Sequence, residues 1–266
     1  MGKVRLDVLL VERGLAPSRE SGRRLIMAGK VRVRGELYHK PGQRVSADAL
    51  VTVEPGQPYV SRGGLKLEAA LDRFEIDVRG RVAADVGAST GGFTDCLLKH
   101  GADRVYAIDV GYGQLAWKLR QDPRVVVIER TNARYLETLP ERVELVTIDA
   151  SFISLKLLLP AVAGWLGEKS QVIPLIKPQF EAGRRQVGKG GVVRDRGVHR
   201  QVLLDILTWA DRHGWAVTGL VPSPLRGPAG NIEFLAHLQH DTPTMLEIEK
   251  AVDNALEEAE SAQRDS

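Results

Sequence analysis

The sequence predicts an α/β chain: a small α+β unit, then an open, mostly parallel sheet with helices on both faces. Three observations lead there. From residue 64 onward, short runs rich in Val, Ile and Ala alternate with helical stretches, the pattern of a parallel sheet and its crossover helices. A glycine-rich turn, "DVGASTGGFTD", follows the first of those runs and opens a helix. Ahead of them, residues 1–60 carry helix and strand signals of their own, with eleven Lys/Arg against six Asp/Glu, a net of +5.

Composition narrows the class. The 266 residues suffice for one large domain and a small one, and 43% hydrophobic with 27% charged residues fits a soluble globular protein. Cys96 is the only cysteine, so a disulfide framework and Cys-rich metal sites are excluded, no metal site is expected, and a reducing cytoplasm fits. The longest apolar stretch, "LLLPAVAGWLG" at 157–167, is too short for a bilayer and holds a proline. The opening "MGKVRLDVLLVERG" has charges inside its apolar segment and does not read as a signal peptide. From Asp241 on, two basic residues face eight acidic ones, a net of −6. This asymmetry suggests a basic arm for a polyanion and a solvated acidic tail.

In chain order, "RLDVLLVERG" gives a short amphipathic helix through Leu6, Leu9 and Leu10, stopped at Gly14. Ser18 is the expected N-cap of a second helix that ends at Gly29. "KVRVRGEL" alternates into a strand with Val31 and Val33 inward, turning at Gly35. "GQRVSADALVTV" supplies another strand, and "EPGQPYVSRGG" a linker. Arg5, Arg19, Arg23, Arg24, Lys30, Arg32 and Arg34 are candidates for one phosphate-binding face, with an ordinary solvated surface as the alternative.

The sheet strands expected next are "VAADVG", "RVYAIDVG", "VVVIERTNA", "VELVTIDASF", "QVIPLIKP", "WAVTGLVPSP" and "NIEFLAHL". In such sheets ligands sit at the carboxyl ends of the strands. The first turn offers Gly87, Ala88, Ser89, Thr90, Gly91, Gly92, Phe93 and Thr94, with Asp85 before it. Asp109 and Val110 close the second strand, where a carboxylate can take a ribose diol. The glycine spacing departs from the dinucleotide G-x-G-x-x-G and resembles the S-adenosylmethionine turn of Rossmann-like methyltransferases. That resemblance puts Asn132 opposite an adenine; a turn-forming role is the alternative.

Four charged residues stand out, three of them where strands end or begin: Lys66 on the first helix, Asp149 after the fourth strand, Lys177 where "VIPLI" meets Pro178, and Glu233 on the last strand. Each has a mundane reading as helix surface, cap, strand end or paired charge. Together, two cations and two anions balance well enough to be partly buried. Methyl transfer to a neutral sugar hydroxyl needs that hydroxyl's proton removed and the reactants held in line. Lysine, with a free pKa of about 10.4, can accept a proton if burial and a neighbouring ammonium lower that value.

Residues 5–53, through "RLDVLLVERGLAPSRESGRRLIMAGKVRVRG", resemble the S4 RNA-binding domain. Lys66, Asp149, Lys177 and Glu233 match the Lys-Asp-Lys-Glu tetrad of FtsJ-type ribose 2′-O-methyltransferases. "SRGGLKLEAAL", "DASFISL", "PLIKPQFEAGR", "GKGGVVRD" and "SPLRGPAGNIEFL" are similar to the TlyA family, which joins both parts. The resemblance implies an S4-like domain over 1–56, a linker over 57–63, an FtsJ-like methyltransferase over 64–240 and an acidic helix or tail over 241–266. It also implies an S-adenosylmethionine-dependent rRNA (cytidine-2′-O)-methyltransferase acting on 16S or 23S rRNA in 30S or 50S subunits, without a membrane or a stable protein partner. Relatives carry an Arg-x-Trp-Val linker thought to couple RNA and cofactor binding; here Gln57 to Val60 read "QPYV", keeping an aromatic but losing the charge.

Arg62, Arg184, Arg185 and Lys189 are further candidate RNA contacts, the last three in a loop that reads equally well as plain solvated chain. Cys96 reads as a buried structural thiol, and His199 is given no role. Two alternative functions remain, a non-catalytic rRNA-binding assembly factor and, since relatives have been labelled haemolysins, a membrane-active protein.

Overall fold

The computed structural model describes residues 2–54, 56–240, 242–244 and 246–264, without the side chains of Gln263 and Arg264. The chain divides into two compact units, Met1–Pro58 and Tyr59–Ser266.

In the first unit, β1 (Lys3–Arg5), α1 (Leu6–Glu12), α2 (Arg19–Met27), β2 (Val31–Val33), β3 (Glu36–Tyr38), β4 (Arg44–Ser46) and β5 (Val51–Val53) follow in order. Leu6, Leu9 and Leu10 of α1 close on Ile26 of α2 and on Val31, Val33, Val45 and Val51 of the strands. Ser18 caps α2 by accepting from the Ser21 amide at 3.2 Å. The segment expected as one strand over "GQRVSADALVTV" is two: β4 pairs with β1, and β5 with β2. A turn closed by the Ala49 amide on the Ser46 carbonyl separates them. Ser46 and Asp48, bonded to each other there, supply the local side-chain hydrogen bond that competes with a continuous ladder.

The second unit holds α3 (Gly63–Arg73), β6 (Val82–Val86), α4 (Gly92–Lys99), β7 (Arg104–Ile108), α5 (Trp117–Arg120), β8 (Val125–Ile128), β9 (Val143–Ile148), α6 (Leu155–Ala163), β10 (Leu166–Ile176), α7 (Pro178–Glu181), α8 (Arg196–Arg212), β11 (Trp215–Pro222), β12 (Phe234–His240) and α9 (Ile248–Arg264). The seven expected strands form one sheet in the order β11-β12-β10-β9-β6-β7-β8. The ladders joining β10, β9, β6, β7 and β8 are parallel, while β12 runs antiparallel between β10 and β11. Apolar side chains cover both faces, Leu67, Phe93, Leu97 and Ile173 on one, and Val146, Trp165, Leu203 and Phe234 on the other. Both faces must be covered because a parallel sheet is hydrophobic on each side.

Strand order reverses at β6 and β9: the chain steps outward from β6 to β7 and β8, then returns to the other flank of β6. The crevice of a doubly wound sheet opens at such a point, beyond the carboxyl ends. The reversal of β12 matters equally, because it brings the residues that precede that strand to the same edge as the ends of β9 and β10.

The acidic tail is not simply solvated. Val252, Ala255, Leu256 and Ala259 of α9 recur at helical spacing and are buried in the main core. Its acids face outward, Asp253 to Arg200 at 2.7 Å, Glu258 to Arg73 at 2.9 Å and Glu260 to Arg196 at 2.6 Å. Among the described residues, no helix is long and apolar enough to cross a membrane.

Candidate active site

Two ion pairs sit at the carboxyl edge of the sheet. Lys177 follows β10 directly, and its Nζ lies 2.6 Å from Asp149 Oδ1, 3.0 Å from Ser151 Oγ and 3.3 Å from the Asp149 carbonyl. Asp149 follows β9 and is fixed there by its amide, which donates to the Val86 carbonyl of β6 at 2.8 Å. Lys66, one turn into α3, donates to Glu233 Oε2 at 2.5 Å. Glu233 stands one residue before β12 rather than on the strand. Both lysines are 8% exposed and Glu233 is 1% exposed. Charges this deeply placed persist only when paired, so the core strand ends on lysine because a carboxylate waits for it. Gln179 donates to Glu233 Oε1 at 3.1 Å.

The glycine turn lies beside these pairs. Gly87 has φ +84°, and a Cβ built on it would come within 2.7 Å of the Asp149 carbonyl oxygen. Only glycine lets the ends of β6 and β9 approach so closely. The Asp109 carboxylate accepts from the Ser89 amide at 2.8 Å and the Gly111 amide at 2.6 Å, joining the turns after β6 and β7.

Two adjoining cavities open here. One, of about 660 Å³, is lined by Lys66, Asp149, Lys177 and Glu233 together with Arg62, Gly87, Ala88, Ser89, Thr90, Gly92 and Phe93. The other, of about 680 Å³, is lined by Gly87, Ser89, Asp109, Val110, Asn132 and Asp149, and by apolar Ile153, Leu157 and Leu158. Polar groups at one end and apolar walls at the other suit a nucleoside-bearing ligand.

Three candidate cofactor residues line neither cavity. Asp85 and Thr94 are fully buried and bonded to each other beneath the turn at 2.6 Å. Burial pushes the Asp85 carboxyl up to about 7, against the hydrogen bond from Thr94. Gly91 packs against Leu115 and Leu119. These residues shape the turn from below. Asn132 does two things: it borders the second cavity and caps a short helical turn, accepting from the Arg134 amide at 3.0 Å.

Several wall residues carried no assignment from the sequence. Phe152, 89% exposed, follows β9 with φ +63°, and its ring lies 4.7 Å from that of Phe180. Both rings border both cavities, as does Ser151. Their signal was present in "DASFISL" and "KPQFE", but an exposed ring and a core ring look alike in sequence. Arg184, Arg185 and Lys189 are exposed and do not line the cavities, whereas Gly190, Gly191 and Arg226 border the first. Asn231 pins that loop, donating to the Gly191 carbonyl and accepting from the Val193 amide, both at 2.9 Å. Tyr59 is buried, with its hydroxyl donating to Glu68 at 2.7 Å, and Val60 donates its amide to Asp95 at 2.8 Å. Cys96 is fully buried and burial pushes its thiol up to about 12. His199 is buried at the start of α8, edge-on to Phe234.

In the first unit, Arg5, Arg19, Arg23, Arg24, Arg32 and Arg34 are exposed and Lys30 is half-buried. Arg19 and Arg23 are one turn apart on α2, but Arg24 stands about 100° further round. Arg5 and Arg19 converge on the buried Asp7, each at 3.0 Å, and hold its carboxyl down at about 2 through the Arg5 hydrogen bond first. Arg32 is drawn to Glu54 at 3.2 Å.

Comparison with known proteins follows the same division. A model described as "FtsJ-like methyltransferase" matches residues 59–240, and one described as "S4 domain" matches residues 4–51. The chain is 54% identical over 241 residues to "Putative rRNA methyltransferase YqxC" of Bacillus subtilis, covering 89% of this chain and 85% of that one. It is 49% identical over 263 residues to "16S/23S rRNA (cytidine-2'-O)-methyltransferase TlyA" of Mycobacterium tuberculosis, covering 96% and 98%. A solved structure named "Putative hemolysin from Streptococcus thermophilus" aligns over 99% of both chains with a TM-score of 0.74 and 45% identity.

Proposed function

The chain belongs to the FtsJ-like methyltransferase family, in the S4-bearing TlyA branch, and on that premise we propose that it methylates a cytidine ribose 2′-hydroxyl in the rRNA of 30S or 50S subunits, using S-adenosylmethionine in the cytoplasm. The observation that carries this reading is the two ion pairs, Lys177 with Asp149 and Lys66 with Glu233, lining one cavity beside the glycine turn. The chain is a methyltransferase by family; the donor, the ribose and the ribosomal context are the proposed part.

The residues present fit the methyl donor. Gly87, Ser89, Asp109, Val110 and Asn132 would hold its nucleoside against Ile153, Leu157 and Leu158, with the glycine turn beside its methionine end. When bound, S-adenosylmethionine supplies an electrophilic methyl group on a sulfonium. The protein's task is to place a hydroxyl oxygen and take its proton. In its neutral amine form, Lys177 Nζ accepts that proton and becomes the ammonium that Asp149 pairs with. Ser151 Oγ can accept from the ammonium and donate to the amine, so its 3.0 Å contact survives both states. Asp149 aims the amine, and Lys66 contributes positive charge held in place by Glu233. Phe152 offers an exposed ring on which a base drawn from its stack can rest. The basic first unit would dock on phosphates, with affinity that falls as salt rises.

The test uses 30S and 50S subunits lacking the modification, radiolabelled S-adenosylmethionine, wild type and Lys177→Ala. Label that resists alkaline cleavage at one cytidine, and vanishes in Lys177→Ala, is the expected result. Wild type that binds rRNA and transfers nothing to either subunit would instead favour a non-catalytic assembly factor.

A further inference from the structure

Lys177 is the N-cap of α7, a helix of only four residues, and two side chains of that turn reach to other elements. Glu181 returns to α6, accepting from Ser154 Oγ at 2.6 Å and the Leu155 amide at 2.8 Å. Gln179 reaches Glu233, donating through Nε2 to Oε1 at 3.1 Å, while Lys66 holds the other carboxylate oxygen. The orientation of the amide follows from chemistry: an acceptor oxygen would repel the carboxylate, so nitrogen must face it. Behind Glu233, Gly227 leaves room for hydrogen alone, since a Cβ there would fall 2.5 Å from Oε1. That oxygen therefore sits in a slot between Gly227 and Gln179.

The other end of the amide is unusual. Gln179 Oε1 is sealed from solvent and has no hydrogen-bond partner among the described residues. An unpaired buried acceptor is costly, and leucine at the same place would avoid that cost. Such an atom is tolerated where the rest of the group has a task.

We propose that Gln179 is a positioning residue for methyl transfer: its amide nitrogen fixes the Glu233 carboxylate, and through it the Lys66 ammonium, tying that ion pair to the turn that carries Lys177. The proposal rests on the methyltransferase reading above. Without the amide, Glu233 Oε1 loses its donor in a buried slot, and the Lys66 ammonium loses its fixed anchor.

Two variants of the full chain test it, beside wild type and Lys177→Ala. Gln179→Leu removes the donor, and kcat should fall about ten-fold or more, the worth of one hydrogen bond to a charged group, with KM for both substrates held within about two-fold. Gln179→Glu brings a second carboxyl against Glu233. Two such groups share a proton more readily as pH falls, and the protonated one donates as the amide did. Its deficit against wild type should therefore shrink as pH falls, while the leucine deficit stays constant. Full kcat in both variants, equal pH-independent deficits, or a loss confined to KM would overturn the proposal. If wild type transfers no methyl group, the functional reading fails instead. The coupling is then read by NMR titration of ¹³C-labelled Lys66, whose curve must differ between wild type and Gln179→Leu, and identical curves would refute it.

Discussion

Gly87→Ala tests whether the close approach of β6 and β9 builds the site. The added Cβ carries two costs. At φ +84° an L-residue is strained, by about 1–2 kcal/mol. The same carbon would lie 2.7 Å from the Asp149 carbonyl oxygen and 2.9 Å from its carbon, backbone atoms that cannot rotate away. Relieving that contact means parting the two strand ends by roughly half an ångström or more, an overpacking cost of about 1–3 kcal/mol. Gly80→Ala is the control, for it shares a φ of +73° but has nothing within 4 Å of the new carbon. Thermal melts should place Gly87→Ala about 1–3 kcal/mol below Gly80→Ala. Because Asp149 is the partner of Lys177, methyl transfer should drop by up to about 100-fold in Gly87→Ala, the scale of a misplacement of about 1 Å, and stay near wild type in Gly80→Ala. Equal melting losses in the two variants, with transfer intact in both, would show that the strand ends have slack and that the geometric reasoning is wrong.

Three further outcomes are expected. Asp109→Ala removes the acceptor shared by the Ser89 and Gly111 amides, and calorimetry should show S-adenosylmethionine binding weakened about ten-fold or more; unchanged affinity would leave Asp109 a loop brace only. Asp85 has a carboxyl raised to about 7 by burial, so the folded state keeps its proton while the unfolded chain loses it near pH 4. Stability from this group is therefore full below about pH 4 and lost as pH rises toward 7, and the melting advantage of Asp85→Asn over wild type should grow across that window and level off above it; a pH-independent gap would contradict the raised value. Phe152→Ala removes a ring that is 89% exposed, so melting should be unchanged while kcat/KM for rRNA falls about 5- to 150-fold, the equivalent of about 1–3 kcal/mol of lost stacking; a lower melting temperature with normal turnover would make the ring structural.

Local signals were legible wherever one element decides the outcome. The α1 leucines, the Ser18 cap, the seven sheet strands and the glycine turn each follow from periodicity or backbone chemistry within about ten residues. The α9 stripe of Val252, Ala255, Leu256 and Ala259 has the same helical spacing, but dense acidic charge between its members masks it in the sequence. The division of "GQRVSADALVTV" between two sheets was not legible, since partner choice for three-residue strands depends on β1 and β2 rather than on the segment itself.

The sequence by itself determined the class of fold, the charge of each part and the presence of four charged residues, Lys66 on a helix and Asp149, Lys177 and Glu233 beside strands. The tertiary structure alone decided which lysine meets which carboxylate. Lys66 and Glu233 are 167 positions apart, and they meet because β12 runs antiparallel and returns its leading residues to the edge where β9 and β10 finish. It also decided that Asp85 and Thr94 brace the turn from below, that Phe152 faces outward, and that Gln179, on the turn that follows Lys177, reaches Glu233. Side-chain periodicity reports which face of one element is buried; it contains nothing about the element lying opposite, and sites of this kind are made between elements.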